Sequence, residues 1–282
     1  MTGTKAPVVF IHGLWLHASS WQPWQELFAE AGYEPSAPGW PGDAGTVEAT
    51  RANPDAVANK GIDEVTDHYA KIIDGLPARP VLIGHSFGGL IAQILAGRGL
   101  AAVTVAIDPA PFRGVLPLPL SALRVASGAV SNPANRHRAV PLTFDQFRYA
   151  FANAVTEEEA KQLFEAYAVP APGLPLFQAV AANLNPWTEV KVDTDNPGRG
   201  PLLIISGEKD HTVPPAIANA SYKHAVGPGN RVQPHAPTTK GERNDCSRAR
   251  RAGGRRRGRA SAVSLPAPDR GGSRAFPRHP IR

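Results

Sequence analysis

Gly84-His85-Ser86-Phe87-Gly88 is a G-x-S-x-G pentapeptide. It follows a continuous apolar run, Val81-Leu82-Ile83, and precedes a helical pattern of Leu90, Ile91, Ile94 and Leu95. A serine on a sharp strand-to-helix turn has its hydroxyl raised above the strand ends. The glycines let the chain turn where a side chain would clash, and the helix that follows aims its free N–H groups at the same point. Ser86 is therefore the candidate nucleophile.

His12-Gly13-Leu14-Trp15 follows another apolar run, Val8–Ile11. In a parallel sheet that loop reaches the same end as Ser86. Backbone N–H groups of Phe87 and of Leu14, preferred over Trp15, are the candidate oxyanion donors, each worth about 3–4 kcal/mol in the transition state. His12 itself reads as structural. A third apolar run, Leu202–Ile205, leads into Ser206-Gly207-Glu208-Lys209-Asp210-His211-Thr212-Val213-Pro214. A carboxylate there can orient an imidazole, and the chain order of serine, acid, histidine points to Asp210. Asp108, just beyond the strand pattern Ala101–Ile107, is the rival acid, with a loop-capping role as its plain alternative.

The elements that must carry these residues alternate. Between the strand runs lie helical patterns, Trp24–Ala31 closed by Gly32 and Ile62–Ile73 closed by Gly75. Tyr33–Ala37 is a weaker strand, broken by prolines. Such alternation predicts an α/β fold, with a mostly parallel sheet covered by helices on both faces. About 90 residues separate the third and fourth strong strands, too many for a simple crossover. They hold helical patterns of their own. One runs through Phe144, Phe147 and Phe151; one opens on a capping box at Thr156 and Glu159; one spans Leu176–Ala182. The expected organisation is a core of residues 5–108 and 201–225, an inserted helical cap over 109–200, and a tail over 226–282. Trp15, Trp40, Phe112, Leu116, Phe144, Phe147 and Trp187 are candidates to line an apolar acyl pocket, with plain packing as the alternative for each.

Composition narrows the function classes. The single cysteine, Cys246, excludes an intrachain disulfide and a cysteine-based zinc site. No apolar run approaches the roughly 18 residues that span a bilayer, and Met1–Ile11 is too short for a secretory leader. The expectation is a cytoplasmic protein that needs no metal or cofactor and does not enter a membrane. The formal charge of +6 is unevenly placed. Residues 226–282 carry 13 arginines and one lysine against three acids, a net of +11; residues 1–225 carry 16 basic and 21 acidic groups, a net of −5.

Phe10-Ile11-His12-Gly13, Gly84-His85-Ser86-Phe87-Gly88-Gly89 and Gly207-x-x-Asp210-x-x-Val213-Pro214 together resemble the α/β-hydrolase superfamily, in its small serine-hydrolase branch with a helical cap. The match covers about residues 5–225. The resemblance implies ester-type acyl transfer through an acyl-enzyme on Ser86, with a small or medium apolar ester as substrate. The chain is also similar to cofactor-free haloperoxidases, lactonases and C–C hydrolases on the same scaffold; a serine at position 86 argues against the branches that use an aspartate nucleophile.

The resemblance also calls for a further strand, a Gly-His pair and a closing helix after about Ala225. None is evident. Among the 57 residues of 226–282, glycine and proline make up 15 and large apolar residues six, too few to offset the entropy of ordering. This tail is expected to be disordered. It reads either as an Arg-rich extension, the sole route to nucleic acid, or as the product of a slipped reading frame. His235, 25 positions after Asp210 and without the expected glycine, is the surviving candidate base. Without a base, the alternative is a non-catalytic hydrolase-fold protein that binds a small apolar ligand.

Overall fold

The computed structural model describes residues 6–116 and 119–225 of the 282. His235 and the tail lie outside the described residues. Five parallel strands form the sheet: β1 (Pro7–Ile11), β2 (Glu34–Ser36), β3 (Val81–His85), β4 (Val103–Ile107) and, last in the chain, β7 (Leu202–Ile205). Their order is β2-β1-β3-β4-β7. Chain reversal between parallel neighbours needs crossovers, which α1 (Gln22–Glu30), the short α2 (Val47–Ala52) with α3 (Ile62–Asp74), and α4 (Phe87–Gly97) supply. β1 is buried throughout, as its unbroken apolar run requires. The register aligns Ile11 with Gly84, His85 with Ile107, and Ile107 with Ile205. The residues after these strands therefore emerge at one sheet edge.

Between β4 and β7 come α5 (Leu120–Val130), β5 (Ala139–Val140), α6 (Phe144–Phe151), α7 (Glu157–Tyr167), β6 (Ala171–Pro172) and α8 (Leu174–Ala181). β5 and β6 pair antiparallel. The reciprocal capping box stands at Thr143–Gln146, opening α6. At α7, Thr156 accepts the Glu159 N–H at 3.2 Å. The insertion is tied to the loop after β1. Trp15 Nε1 donates to the Val140 carbonyl at 2.9 Å, and the N–H groups of His17 and Val169 donate to the carbonyls of Tyr167 and Trp15. α9 (Pro215–Ala225) packs Ala218 and Ala225 against Leu202 and Ile204 of β7. No described helix is long and apolar enough to cross a membrane.

Every residue of α4 is buried. Its first turn crosses the backbone so closely that two glycines are obligatory. A Cβ on Gly84 would lie 2.2 Å from the Gly88 carbonyl oxygen; one on Gly88 would lie 2.1 Å from that of Ile11. Both obstacles are backbone, so neither can rotate away. Gly84→Ala is expected to lower the unfolding free energy by about 3 kcal/mol and the melting temperature by roughly 6–12 °C. Gly45, with nothing within 4 Å of its added Cβ, is the control. Thermal melts of Gly84→Ala and Gly45→Ala check this, and equal melts would contradict the close approach.

Candidate active site

Ser86 occupies the turn between β3 and α4 at φ 53° and ψ −121°. A β-carbon crowds the backbone there, at a cost of about 1–3 kcal/mol. The turn is held from several sides. The Ser86 N–H donates to the Ile107 carbonyl at 3.0 Å, and the Ser86 carbonyl accepts from the N–H groups of Leu90 and Ala110. Gly13 presses on it, since a Cβ there would sit 2.9 Å from the Ser86 Cβ. Trp15 and Asp108 also have positive φ, 66° and 40°. Three strained non-glycine residues thus stand just beyond β1, β3 and β4.

The loop after β1 is fixed by buried polar contacts. His12 Nδ1 lies 2.9 Å from the Gly13 carbonyl, and its Nε2 makes a 3.0 Å ion-pair approach to Asp43 outside hydrogen-bond geometry. Trp40 Nε1 donates to the His12 carbonyl at 3.1 Å. His12 is thereby committed to shaping the loop that carries Leu14 and Trp15. His85, directly before Ser86, is fully buried; desolvation first, and His12 second, push its pKa down to about 3, so it is neutral.

The two rival acids prove to be partners. Asp210 Oδ1 accepts from the N–H groups of both Thr212 and Val213, each at 2.6 Å. Asp108 Oδ1 accepts from Gly207 N–H at 2.7 Å, and the Asp108 N–H reaches the Ile205 carbonyl. Burial, then the nearby charge of Asp210, pushes the Asp108 carboxyl up to about 8. Burial also raises Asp210, against the opposing pull of its two amides. The raised Asp108 carboxyl therefore keeps its proton at neutral pH beside Asp210, so the two acids need not both carry charge. The C-terminal turn of α6 clamps this loop. Asn153 Nδ2 donates to the Lys209 carbonyl at 2.8 Å, Thr212 Oγ1 to that of Ala150 at 3.0 Å, and His211 Nδ1 lies 3.0 Å from that of Tyr149.

A cleft open at its mouth has Ser86 among its lining residues. Its walls include Trp15, Phe87, Pro111, Ala122, Val125, Ala126, Leu176, Ala179, Thr212, Val213 and Ile217. Of the aromatic pocket candidates, Trp15 lines it. Trp40 faces a second, smaller cavity beside His12. Phe112 is buried against the His224 ring, and Phe144 packs on Phe164 of α7. Trp187 is 87% exposed. None of these four is among the residues lining the Ser86 cleft: large rings complete the packing elsewhere or stand in solvent, while small residues of α5 and α8 leave the space open. The 3–4 spacing of Ala122, Val125, Ala126 and Ala129 was the available signal. Among the described residues, no histidine lines the cleft, and no group of three or more His, Cys, Asp or Glu side chains is placed to hold a metal ion.

The proton held on Asp108 has a consequence for stability. The unfolded chain releases the Asp108 proton above pH about 4, whereas the folded protein keeps it to about 8. The stability contributed by the neutral carboxyl is fully present below pH about 4 and lost as pH rises through about 8, by up to about 1.4 kcal/mol per pH unit. Asp108→Asn has no proton to lose and retains an oxygen for Gly207. Its stability relative to wild type is expected to grow from pH 5 to about pH 8 and level off above that in urea unfolding; a constant difference would refute a proton held on Asp108.

A sequence profile of the alpha/beta hydrolase family matches residues 8–238. No curated protein sequence matches the chain. The structure is similar to an extracellular alpha/beta-hydrolase from a Paenibacillus species, at 20% identity and TM-score 0.59, over 82% of this chain and 90% of that one. It is similar to the monoacylglycerol lipase of Paleococcus ferrophilus, at 20% identity and TM-score 0.53, over 82% and 85%. A third likeness is to polyneuridine aldehyde esterase, at 16% identity and TM-score 0.55, over 82% and 90%. At these identities the likenesses speak to the fold. The profile match runs from the first strand past the last described helix, and the chain belongs to the alpha/beta hydrolase family.

Proposed function

We propose that the protein is a serine hydrolase of carboxylesterase type, acting on a small or medium apolar ester. The observation that carries this reading is the strained Ser86 in the lining of an apolar cleft. Ser86 Oγ attacks the ester carbonyl. Its proton passes to an imidazole and then to the departing alkoxide, so the C–O bond breaks and the alcohol leaves. Water then attacks the acyl-enzyme by the reverse route and releases the acid. The N–H groups of Phe87 and Leu14 hold the oxyanion; Phe87 opens α4, where backbone N–H groups have no partner within the helix.

Asp210 is the acid that orients the imidazole. Its Oδ1 is occupied by two amides, leaving Oδ2 for the Asp108 proton and the imidazole. His235 is the proposed base. It lies ten residues after Ala225 and within the stretch matched by the family profile. The esterase and lipase among the structural likenesses favour ester chemistry over the other reactions of the scaffold.

A fluorophosphonate probe tests the nucleophile. Wild-type protein is expected to be labelled and Ser86→Ala not. A folded wild type that takes no label and turns over no p-nitrophenyl butyrate leaves the ligand-binding alternative. Asp210→Asn should cut kcat/KM on the order of 10³–10⁴-fold, since the imidazole then loses its orienting carboxylate. His235→Gln should cut it comparably; unchanged turnover would assign the base elsewhere.

A further inference from the structure

Nine large hydrophobic side chains are markedly exposed among the described residues, and six of them lie on α5, α8 and the loops beside them. Leu116, Leu120 and Leu123 come from α5 and the loop before it; Val180, Leu184 and Trp187 come from α8 and the loop after it. The two loops are sewn together. Gly114 N–H donates to Asn183 Oδ1 at 2.7 Å, Asn183 Nδ2 to the Val115 carbonyl at 3.1 Å, and Arg113 to the carbonyls of Val190 and Pro186. Leu184, Trp187 and Leu120 are 89%, 87% and 85% exposed. Singly exposed hydrophobics are ordinary; a contiguous set around a pocket marks an interaction surface.

Two further features say what it meets. Leu123 and Val180 both line the cleft and stand at its rim. The apolar wall of the Ser86 cleft therefore continues to exposed side chains at its rim. Charge is the second feature. The described rim, residues 109–116, 119–130 and 174–188, carries Arg113 and Arg124 and no aspartate or glutamate, although residues 1–225 have five more acids than bases. Both arginines are exposed, and Asp145 and Glu189 stand at the borders of these stretches. An apolar set with an exposed tryptophan and two cations suits an amphiphile surface bearing some negative charge.

We propose that the rim formed by α5, α8 and their flanking loops docks on a lipid–water surface, with the cleft mouth facing it. Substrate then passes from that surface along apolar wall without crossing water. That substrate step rests on the Ser86 hydrolase reading; the docking itself does not. Ser86→Ala protein, incapable of turnover under that reading, is mixed with vesicles of phosphatidylcholine, alone and with one-third phosphatidylglycerol. Trp187 emission is expected to shift to the blue with both, more strongly with the anionic vesicles. Leu120→Ser/Leu184→Ser in the same background should weaken partitioning into both by tenfold or more while leaving the melting temperature within about 2 °C. The basic segment 226–282 offers a competing route to anionic vesicles. Partitioning that the double substitution leaves unchanged, or that 0.5 M salt abolishes on both compositions, would overturn the proposal. So would a dimer that the double substitution dissociates, because a second copy would then be what covers the rim. Wild-type protein that takes no fluorophosphonate label would remove the hydrolase reading and leave the vesicle result standing.

Discussion

The approach of α4 to the strand ends is the constraint on which everything else depends. Gly84, Gly88 and Ile11 meet backbone to backbone, closer than any side chain allows. That contact forces the chain to reverse within one residue, and the residue is Ser86. Its unfavourable φ and ψ are sustained because both neighbours are over-determined. β3 is paired on both sides, and α4 buries all eleven of its residues. Strain of about 1–3 kcal/mol is small against the burial of one such helix, where each large apolar side chain contributes about 1.5–3 kcal/mol.

The same logic of strand ends explains the acids. Asp108 and the Gly207–Asp210 turn leave adjacent strands in register, so two carboxyl groups arrive at one place. Two buried negative charges would repel strongly at low dielectric. The protein resolves this with one proton and three amides. The Thr212 and Val213 N–H groups stabilise a charged Asp210, while burial keeps Asp108 neutral. A neutral Asp108 is then a donor to Asp210 rather than a competitor for the imidazole. α6 closes the arrangement from above through Tyr149, Ala150 and Asn153, coupling the insertion to the acid loop.

What was legible in the sequence is what local backbone chemistry determines. Val81-Leu82-Ile83 followed by Gly84-His85-Ser86-Phe87-Gly88 admits few conformations, and the strand, turn and helix follow from it. Asp210 was legible for the same reason, because a strand delivers it. Its relation to Asp108 was not, since the register of β4 with β7 is a long-range fact. The cleft was the least legible part. Aromatic residues drew attention, yet Phe112 and Phe144 fill packing space, and Trp187 projects into solvent. The open volume comes from Ala122, Ala126 and Ala179, whose contribution is the bulk they lack. Absence of volume has no periodic signature beyond the spacing of the helix itself. At Thr156 and Glu159 the capping-box pattern marked a helix start, and a reciprocal pair that the pattern search passed over stands at Thr143 and Gln146.

Chemistry and selection are therefore carried by different kinds of structure. Ser86, Asp108 and Asp210 hang from strand ends whose positions are set by ladder hydrogen bonds and glycine contacts. The cleft walls and rim belong to α5 and α8, which touch each other and the loops between them but contribute no strand to the sheet. Substituting Ala122 or Ala179 alters volume without moving Ser86, so acyl size can change while the reacting geometry is conserved. Under the proposed reaction an imidazole must reach this edge, and no described histidine lines the cleft. Ten residues extend to about 33–36 Å at most, so chain length does not prevent His235 from being that base. The proposal therefore asks one thing of the chain beyond Ala225: a base delivered to a serine and two carboxylates whose places the strands already fix.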